Sequence, residues 1–347
     1  MSDGKKAVES DKIWACFITS LSYLPGLLTL HYSLVHKHRS KYPLVALYTP
    51  TFPQSGLAAL AARGIPSQPI QPLRPAMPHP CPIDPRFLDC WAKLAAFGLT
   101  QYARVVQLDA DMLVRANMDE LMEVPLDGGA VFAAAPACVC NPLRRAHYPE
   151  SWTPSACAYT AEARGGGGGG NGDGTGLGEL NSGLVVVQPS AAVFGEIRAY
   201  LDRPDRTRAL PFADQSLLGD LFRGRWAVLP YVYNALKTMR WPGVHDALWR
   251  DADVKCVHYI MTPKPWEEKD MEGAEGEEGE DEVKVDEGVA GIREDDDDDD
   301  DDYSDDRNKR KVRKQKRTRE VTHQWWVDVD LERKRWEREN GLGGDGW

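Results

Sequence analysis

The chain predicts an α/β fold in which a mostly parallel sheet is sandwiched by helices, and three observations carry that expectation. Short apolar runs of β character alternate with segments of helical spacing through the first 260 or so positions. The chain has 347 residues and 42% hydrophobic composition, enough to bury one large core or two modest ones. The run Val105-Val106-Gln107-Leu108 ends in Asp109-Ala110-Asp111. Open α/β sheets place their ligands at such carboxyl ends of strands.

Ile13 to Thr19 reads as a buried first strand, followed by helical spacing from Pro25 to His38. Leu44 to Tyr48 reads as a second strand, and Gln54 to Arg63 as a short Ala- and Leu-rich helix stopped by Gly64 and Pro66. A Pro-rich connection through Pro85 leads to a helix from Arg86 to Leu99, which feeds the strand Arg104 to Leu108. Ala130 to Ala135, Leu184 to Val187, Val228 to Val232 and Lys255 to Tyr259 read as further strands, with helices near 189–201 and 214–222. The glycines at 165–170 mark a flexible insertion, about 163–179, because glycine neither packs nor holds regular structure there.

The net charge of −11 is unevenly spread. Residues 267–306 hold 23 acidic and three basic side chains, whereas 307–319 hold nine basic and none acidic, which leaves the rest of the chain neutral. A neutral globular part gives no sign of a nucleic-acid or membrane partner. Eight consecutive aspartates at 295–302 repel one another and cannot bury a core, so 267–319 is expected to be disordered. The basic cluster 309–314 is read as a counter-charge to that tract, and the charged tail as a possible surface for a protein partner. Beyond it, Val321, Trp325 and Val329 recur at helical spacing and predict a terminal helix over 320–338 that docks on the body of the protein.

The seven cysteines are odd in number and scattered, which suits reduced thiols better than a disulfide framework. Cys138, Cys140 and Cys157 do not have the spacing of a recognised zinc site and are read as buried small thiols. The first twelve residues are polar and are expected to be flexible, and the apolar stretch Leu21 to Leu30 is too short to span a bilayer. With no permitted glycosylation sequon either, the expectation is a cytoplasmic protein.

Two carboxylates one residue apart at a strand end can grip a hard divalent cation, which in turn can hold a diphosphate. The triplet alone is equally a solvated strand-to-loop turn. Further signals follow it in a fixed order: Lys93 in Trp91-Ala92-Lys93-Leu94, then Asn181-Ser182-Gly183, Ala213-Asp214-Gln215, Leu229-Pro230-Tyr231-Val232-Tyr233-Asn234, Val257-His258-Tyr259 and Lys264-Pro265-Trp266. Together with the stretch from Leu99 through Asp111 to Leu121, they closely resemble glycosyltransferase family 8, which includes the glycogenins and the galactinol synthases. The resemblance covers about 13–266, and faintly Trp325-Trp326.

That resemblance implies a single GT-A (Rossmann-like) catalytic domain, a UDP-sugar donor, a bound Mn²⁺ in preference to Mg²⁺, and retention at the anomeric carbon. Carried over residue by residue, it makes Asp109, Asp111 and His258 metal ligands. It assigns Thr19, Tyr23, Lys93, Asn181, Gly183 and Lys264 to the donor, and Asp214 and Gln215 to the reacting face of the sugar. A carboxylate nucleophile and a front-face route both remain compatible with Asp214-Gln215. Trp241 stands where glycogenin-type chains carry their acceptor tyrosine, and Pro211 where they carry an aspartate. Both departures look more like the galactinol synthase branch, so the expected acceptor is a small polyol or sugar, with galactose transfer to myo-inositol first. A glycogenin-like glucosyltransferase using another tyrosine is the rival. A transferase-shaped binding protein is the alternative of another class, and a homodimer is also carried as an expectation.

Overall fold

The computed structural model describes residues 5–77, 90–146, 148–163, 179–208, 210–268 and 320–347. Most of the glycine-rich insertion, the expected start of the helix at Arg86 and residues 269–319 lie outside the described residues.

Strands β1 (Lys12–Ile18), β2 (Leu44–Tyr48), β3 (Ser67–Pro69), β4 (Arg104–Leu108), β6 (Phe132–Pro136), β7 (Leu180–Val187) and β8 (Trp226–Val228) form a seven-stranded sheet in the order β3-β2-β1-β4-β7-β6-β8. Only β7 runs against its neighbours, pairing antiparallel with both β4 and β6. A second sheet, β5-β10-β9, is built from β5 (Met112–Val114), β9 (Ala235–Leu236) and β10 (Cys256–His258).

Both faces of the large sheet are covered, which is why its strands read as near-continuous apolar runs. On one face Trp14, Cys16, Ile18, Leu44, Ala46, Val106 and Leu108 pack beneath α1 (Leu24–His31) and α2 (Gln54–Ala62). On the other, the alternate residues Ile13, Ala15, Val45, Leu47 and Val105 meet the 3₁₀ helix Trp91–Gly98. Farther along, Val185, Val187 and Phe132 pack against α4 (Ala191–Leu201) and α6 (Ala213–Leu221). Two shorter helices, α3 (Ala158–Ala163) and α5 (Pro204–Thr207), complete the body. The segment expected as a strand through Val232 leaves the sheet at Val228, and Tyr231–Tyr233 forms a 3₁₀ turn after Pro230. The N-terminus is tethered before β1: the Ala7 amide donates to the Tyr102 hydroxyl at 2.9 Å.

The terminal helix α7 (Val321–Glu339) docks through the predicted stripe only in part: Trp325 and Val329 pack against the apolar cluster that includes Val257 and Trp326, and a polar face is buried as well. Val321 is exposed, while Thr322, His323, Trp326, Asp330, Arg333 and Glu337 are buried. Arg333 pairs with Asp330 (2.8 Å) and Glu337 (2.6 Å). Glu337 also receives Arg63 (2.9 Å), and Asp330 accepts from Thr29 of α1 (2.7 Å). A docking face satisfied by ion pairs has no hydrophobic period to read. At its start, the Thr322 carbonyl accepts from the Tyr259 hydroxyl (2.7 Å), and His323 contacts Lys237, which donates to Pro263 (3.2 Å). Residues Glu267 and Glu268, expected to open the disordered tail, are held by Lys264 and His323. Among the described residues no helix is long and apolar enough to cross a membrane.

Candidate metal and nucleotide-sugar site

Asp109-Ala110-Asp111 is the crossing from one sheet to the other, and this explains how its two carboxylates are positioned. The Asp109 amide donates to the Gly183 carbonyl at 2.8 Å, extending the β4–β7 ladder. The Asp111 carbonyl accepts from the Tyr259 amide at 2.8 Å, extending the β5–β10 pairing that sets His258 opposite Met112. Because β7 is antiparallel, its first residues, Asn181-Ser182-Gly183, arrive at the same sheet edge as the ends of β1 and β4.

The three side chains converge. One ligand atom from each of Asp109, Asp111 and His258 lies within 4.8 Å of the others. His258 Nε2 is 3.3 Å from Asp111 Oδ1 and 3.9 Å from Asp109 Oδ2. The other ring nitrogen is committed: His258 Nδ1 lies 2.9 Å from Asn234 Oδ1, which can only accept, so Nδ1 carries a proton and Nε2 is the nitrogen turned to the carboxylates. Asn234 in turn donates to Asn181 Oδ1 at 2.8 Å, and the same oxygen accepts the Gly183 amide at 3.0 Å. Gly183 is required by close approach, because a Cβ there would stand 2.3 Å from His258 Cε1 and 2.6 Å from Nδ1. Two hard carboxylates and one free imidazole nitrogen fit a six-coordinate Mn²⁺ or Mg²⁺ with positions left for phosphate oxygens.

Two lysines, Lys264 buried and Lys93 partly buried, balance the carboxylates. Lys264 Nζ lies 2.5 Å from Asp111 Oδ2 and donates to the Tyr259 carbonyl at 2.7 Å. Burial alone would raise the Asp111 carboxyl, but Lys264 and His258 outweigh it and hold that group well below the usual aspartate range. Lys93 Nζ bridges Asp109 (3.1 Å) and Asp214 (3.4 Å). Burial disfavours its charge, yet Asp109 and Asp214 prevail and keep it an ammonium well above its ordinary range. Burial raises the Asp214 carboxyl above its ordinary value, against the pull of Lys93 and with a contribution from Asp109. Gln215 Oε1 accepts from the Ser182 amide at 3.4 Å.

All eleven residues singled out by sequence, Thr19, Tyr23, Lys93, Asp109, Asp111, Asn181, Gly183, Asp214, Gln215, His258 and Lys264, line one cavity of about 480 Å³. Sequence reasoning quoted Asn234 only as part of a motif and did not see its hold on His258. It also missed a wall contributed by the segment after Cys140. There Arg145 lines the cavity with Nε unbonded. Beside it Trp152 stacks on Phe212 at 5.0 Å and meets Tyr148 edge-on at the same distance. Trp241 is not in the cavity lining, and its indole donates to Glu320 at 3.1 Å.

Comparison with known proteins agrees with this geometry. The family model Glycosyl transferase family 8 matches residues 16–270. Galactinol synthase 1 of Solanum lycopersicum is 25% identical over 284 residues, covering 76% of this chain and 78% of that protein. Galactinol synthase 3 of Arabidopsis thaliana is 26% identical over 284 residues, covering 80% and 79%. Among solved structures, the apo bifunctional glycosyltransferase WbbM superposes with a TM-score of 0.51 at 17% identity, over 76% of this chain and 48% of that one. This last likeness is one of fold, the GT-A fold, and the chain spans about half the length of that larger protein. From the matched span, the chain belongs to glycosyl transferase family 8.

Proposed function

We propose that the protein is a metal-dependent retaining hexosyltransferase that moves galactose from UDP-galactose to myo-inositol or a closely related polyol. The observation that carries this reading is the convergence of Asp109, Asp111 and a His258 whose Nε2 is left free by Asn234. The similarity to galactinol synthases over three quarters of the chain supports the choice of donor and acceptor. Asp109, Asp111 and His258 would hold a divalent cation, Mn²⁺ in this reading, which would supply positive charge to neutralise the departing UDP.

The chain's own residues account for the remaining work. Thr19 and Tyr23, where β1 gives way to α1, flank the end of the cavity assigned to the nucleoside. Lys264 offers the diphosphate a point charge with three donors and lies on the loop braced by α7. Lys93, Asn181 and Gly183 border the donor sugar. The ion pair with Lys93 weakens Asp214 as a nucleophile and leaves it, with Gln215, to stabilise positive charge at the anomeric carbon. In this front-face route the anomeric C–O bond to phosphate breaks while a bond to the acceptor oxygen forms on the same face. The hydroxyl proton passes to the leaving phosphate oxygen.

The wall of Tyr148, Trp152 and Phe212 gives a cyclic polyol an apolar surface for its C–H face, with Arg145 beside it for hydroxyls. Trp241 has no hydroxyl and lies outside the cavity lining, which disfavours self-glucosylation at that position. We place the reaction in the cytoplasm, in keeping with described cysteines that form no disulfide. Neither the charged segment nor a dimer is given a step in it.

The test is UDP release from UDP-galactose and UDP-glucose against a panel of polyols, with the product's anomeric configuration read by NMR. An α-galactosyl polyol formed fastest from UDP-galactose and myo-inositol is the expected product. Hexose added only to the protein itself, seen by intact mass, would replace this reading with the glycogenin-like one.

A further inference from the structure

A second cluster of metal-binding side chains lies outside the Asp-Asp-His site. Cys138, Cys140, Cys157 and His245 each place a ligand atom within 4.8 Å of the other three. His245 Nε2 stands 3.3 Å from the sulfur of Cys138, 3.4 Å from that of Cys140 and 3.6 Å from that of Cys157. We propose that these four residues hold one zinc ion in a closed, tetrahedral Cys₃His site that staples the 138–157 segment to the wall of the cavity.

The distances favour a common centre over a set of hydrogen bonds. One imidazole nitrogen has either one lone pair or one N–H, so it can satisfy one thiol, not three at nearly equal range. Zinc with Zn–S of about 2.3 Å and Zn–N of about 2.0–2.1 Å has tetrahedral N···S edges of roughly 3.6 Å. All three separations lie close to that edge. The sequence reading of buried thiols is therefore incomplete. Cys140, Cys157 and His245 are indeed buried, at 7%, 1% and 4% exposure, but they are buried around one another. Tyr159 packs edge-on against the His245 ring at 5.6 Å and fixes its plane.

The donor set also selects the metal and its role. Three thiolates and an imidazole are soft ligands that suit zinc, unlike the oxygen-rich set at Asp109 and Asp111. Four protein ligands leave no open position, which is the mark of a structural site. There is a mechanical need for one. Between Cys140 and Cys157 the only regular element among the described residues is the 3₁₀ turn Pro154–Ala156, yet this segment supplies Asn141, Arg145, Tyr148 and Trp152 to the cavity. An irregular loop held at one end would cost entropy to keep in place, and a metal clip across a long chain separation offsets that cost. The fourth ligand comes from far along the chain, 88 residues from Cys157, so no local spacing announces the site.

The test uses the full-length protein and does not depend on the donor or acceptor proposed above. Purified without chelator from zinc-supplemented medium, it should retain about one zinc per chain through gel filtration, measured by elemental analysis. Cys138→Ser combined with Cys140→Ser should lose that zinc, whereas Asp111→Asn should keep it. Replacement by Co²⁺ in the unmutated protein should produce thiolate-to-cobalt charge transfer and the intense visible bands of tetrahedral coordination. The spectrum settles the matter even if the cysteine variants fail to fold. Wild-type protein that holds no zinc after loading and gives an octahedral cobalt spectrum without thiolate bands overturns the proposal, as does zinc that survives in a folded double-serine variant or is lost with Asp111→Asn.

Discussion

Asn234→Ala probes the geometry that makes His258 a ligand: Asn234 itself is given no contact with metal or donor, although it also donates to Asn181 at 2.8 Å. In the structure its Oδ1 takes the His258 Nδ1 proton at 2.9 Å, and both side chains are buried. Removing the amide leaves a buried N–H without a partner, a penalty of about 1–3 kcal/mol. It also lets the imidazole rotate or change tautomer, so that Nε2 no longer presents a lone pair to Asp109 and Asp111. Loss of an orienting partner of this kind lowers metal affinity about 10–100-fold, or roughly 1.4–2.7 kcal/mol. Asn234→Asp should act in the other direction, because a carboxylate accepts the same proton and makes the imidazole a better donor to a cation. Titration with Mn²⁺, following the free ion by its magnetic resonance signal, measures both variants against the unmutated protein, with melting curves as a control for folding. Equal Mn²⁺ affinity in Asn234→Ala and wild type, or an Asn234→Asp variant as weak as the alanine, would refute the reasoning.

Gly183→Ala drives a methyl to 2.3 Å from His258 Cε1; overpacking of about 1–3 kcal/mol and weaker Mn²⁺ binding should appear together, and a variant unchanged in both melting and titration contradicts the close packing. Glu337→Ala removes the carboxylate shared by Arg333 and Arg63, each of which keeps another acidic partner. Stability to urea should therefore fall by about 3 kcal/mol, the low end for a broken buried pair, and a loss below about 1 kcal/mol would place the network among surface pairs. Because burial raises the Asp214 carboxyl, its ionised form is reached only above the ordinary aspartate value of 3.8. Transfer should therefore fall on an acid limb lying above that value as Asp214 takes up its proton, and a rate that stays flat down to pH 3.8 would remove Asp214 from the reacting face.

The strands beneath the site were legible because both faces of the large sheet are covered, so β1, β2 and β4 are almost continuously apolar, with Lys12, Arg104 and Gln107 the exceptions. The place of the acidic turn at the carboxyl end of β4 was legible too, whereas the triplet by itself read equally as a solvated turn. Of the small sheet only β10 was legible, inside the strand expected from Lys255 to Tyr259; β5 and β9, with three and two residues, are too short to show a period. The polar part of the docking face of α7 escaped for a different reason: Asp330, Arg333 and Glu337 satisfy one another in the interior, and charged residues read from sequence as solvent-facing. Cys138, Cys140, Cys157 and His245 illustrate the general difficulty, because ligands drawn from distant loops acquire meaning only when the fold brings them within bonding reach. His258 lies still farther along the chain from Asp109, and only a family pattern brought the two into one reading.

The central claim is that Asp109, Asp111 and His258 share one divalent cation on which donor turnover depends. Its most direct measurement is release of UDP from UDP-galactose, in the presence of myo-inositol, as Mn²⁺ is titrated into metal-stripped protein and into the Asp111→Asn variant. The account predicts turnover that rises with Mn²⁺ in the native sequence and is lost in the variant while the melting curve persists. Turnover independent of Mn²⁺, or an Asp111→Asn variant that responds to it as the unmutated protein does, would contradict it.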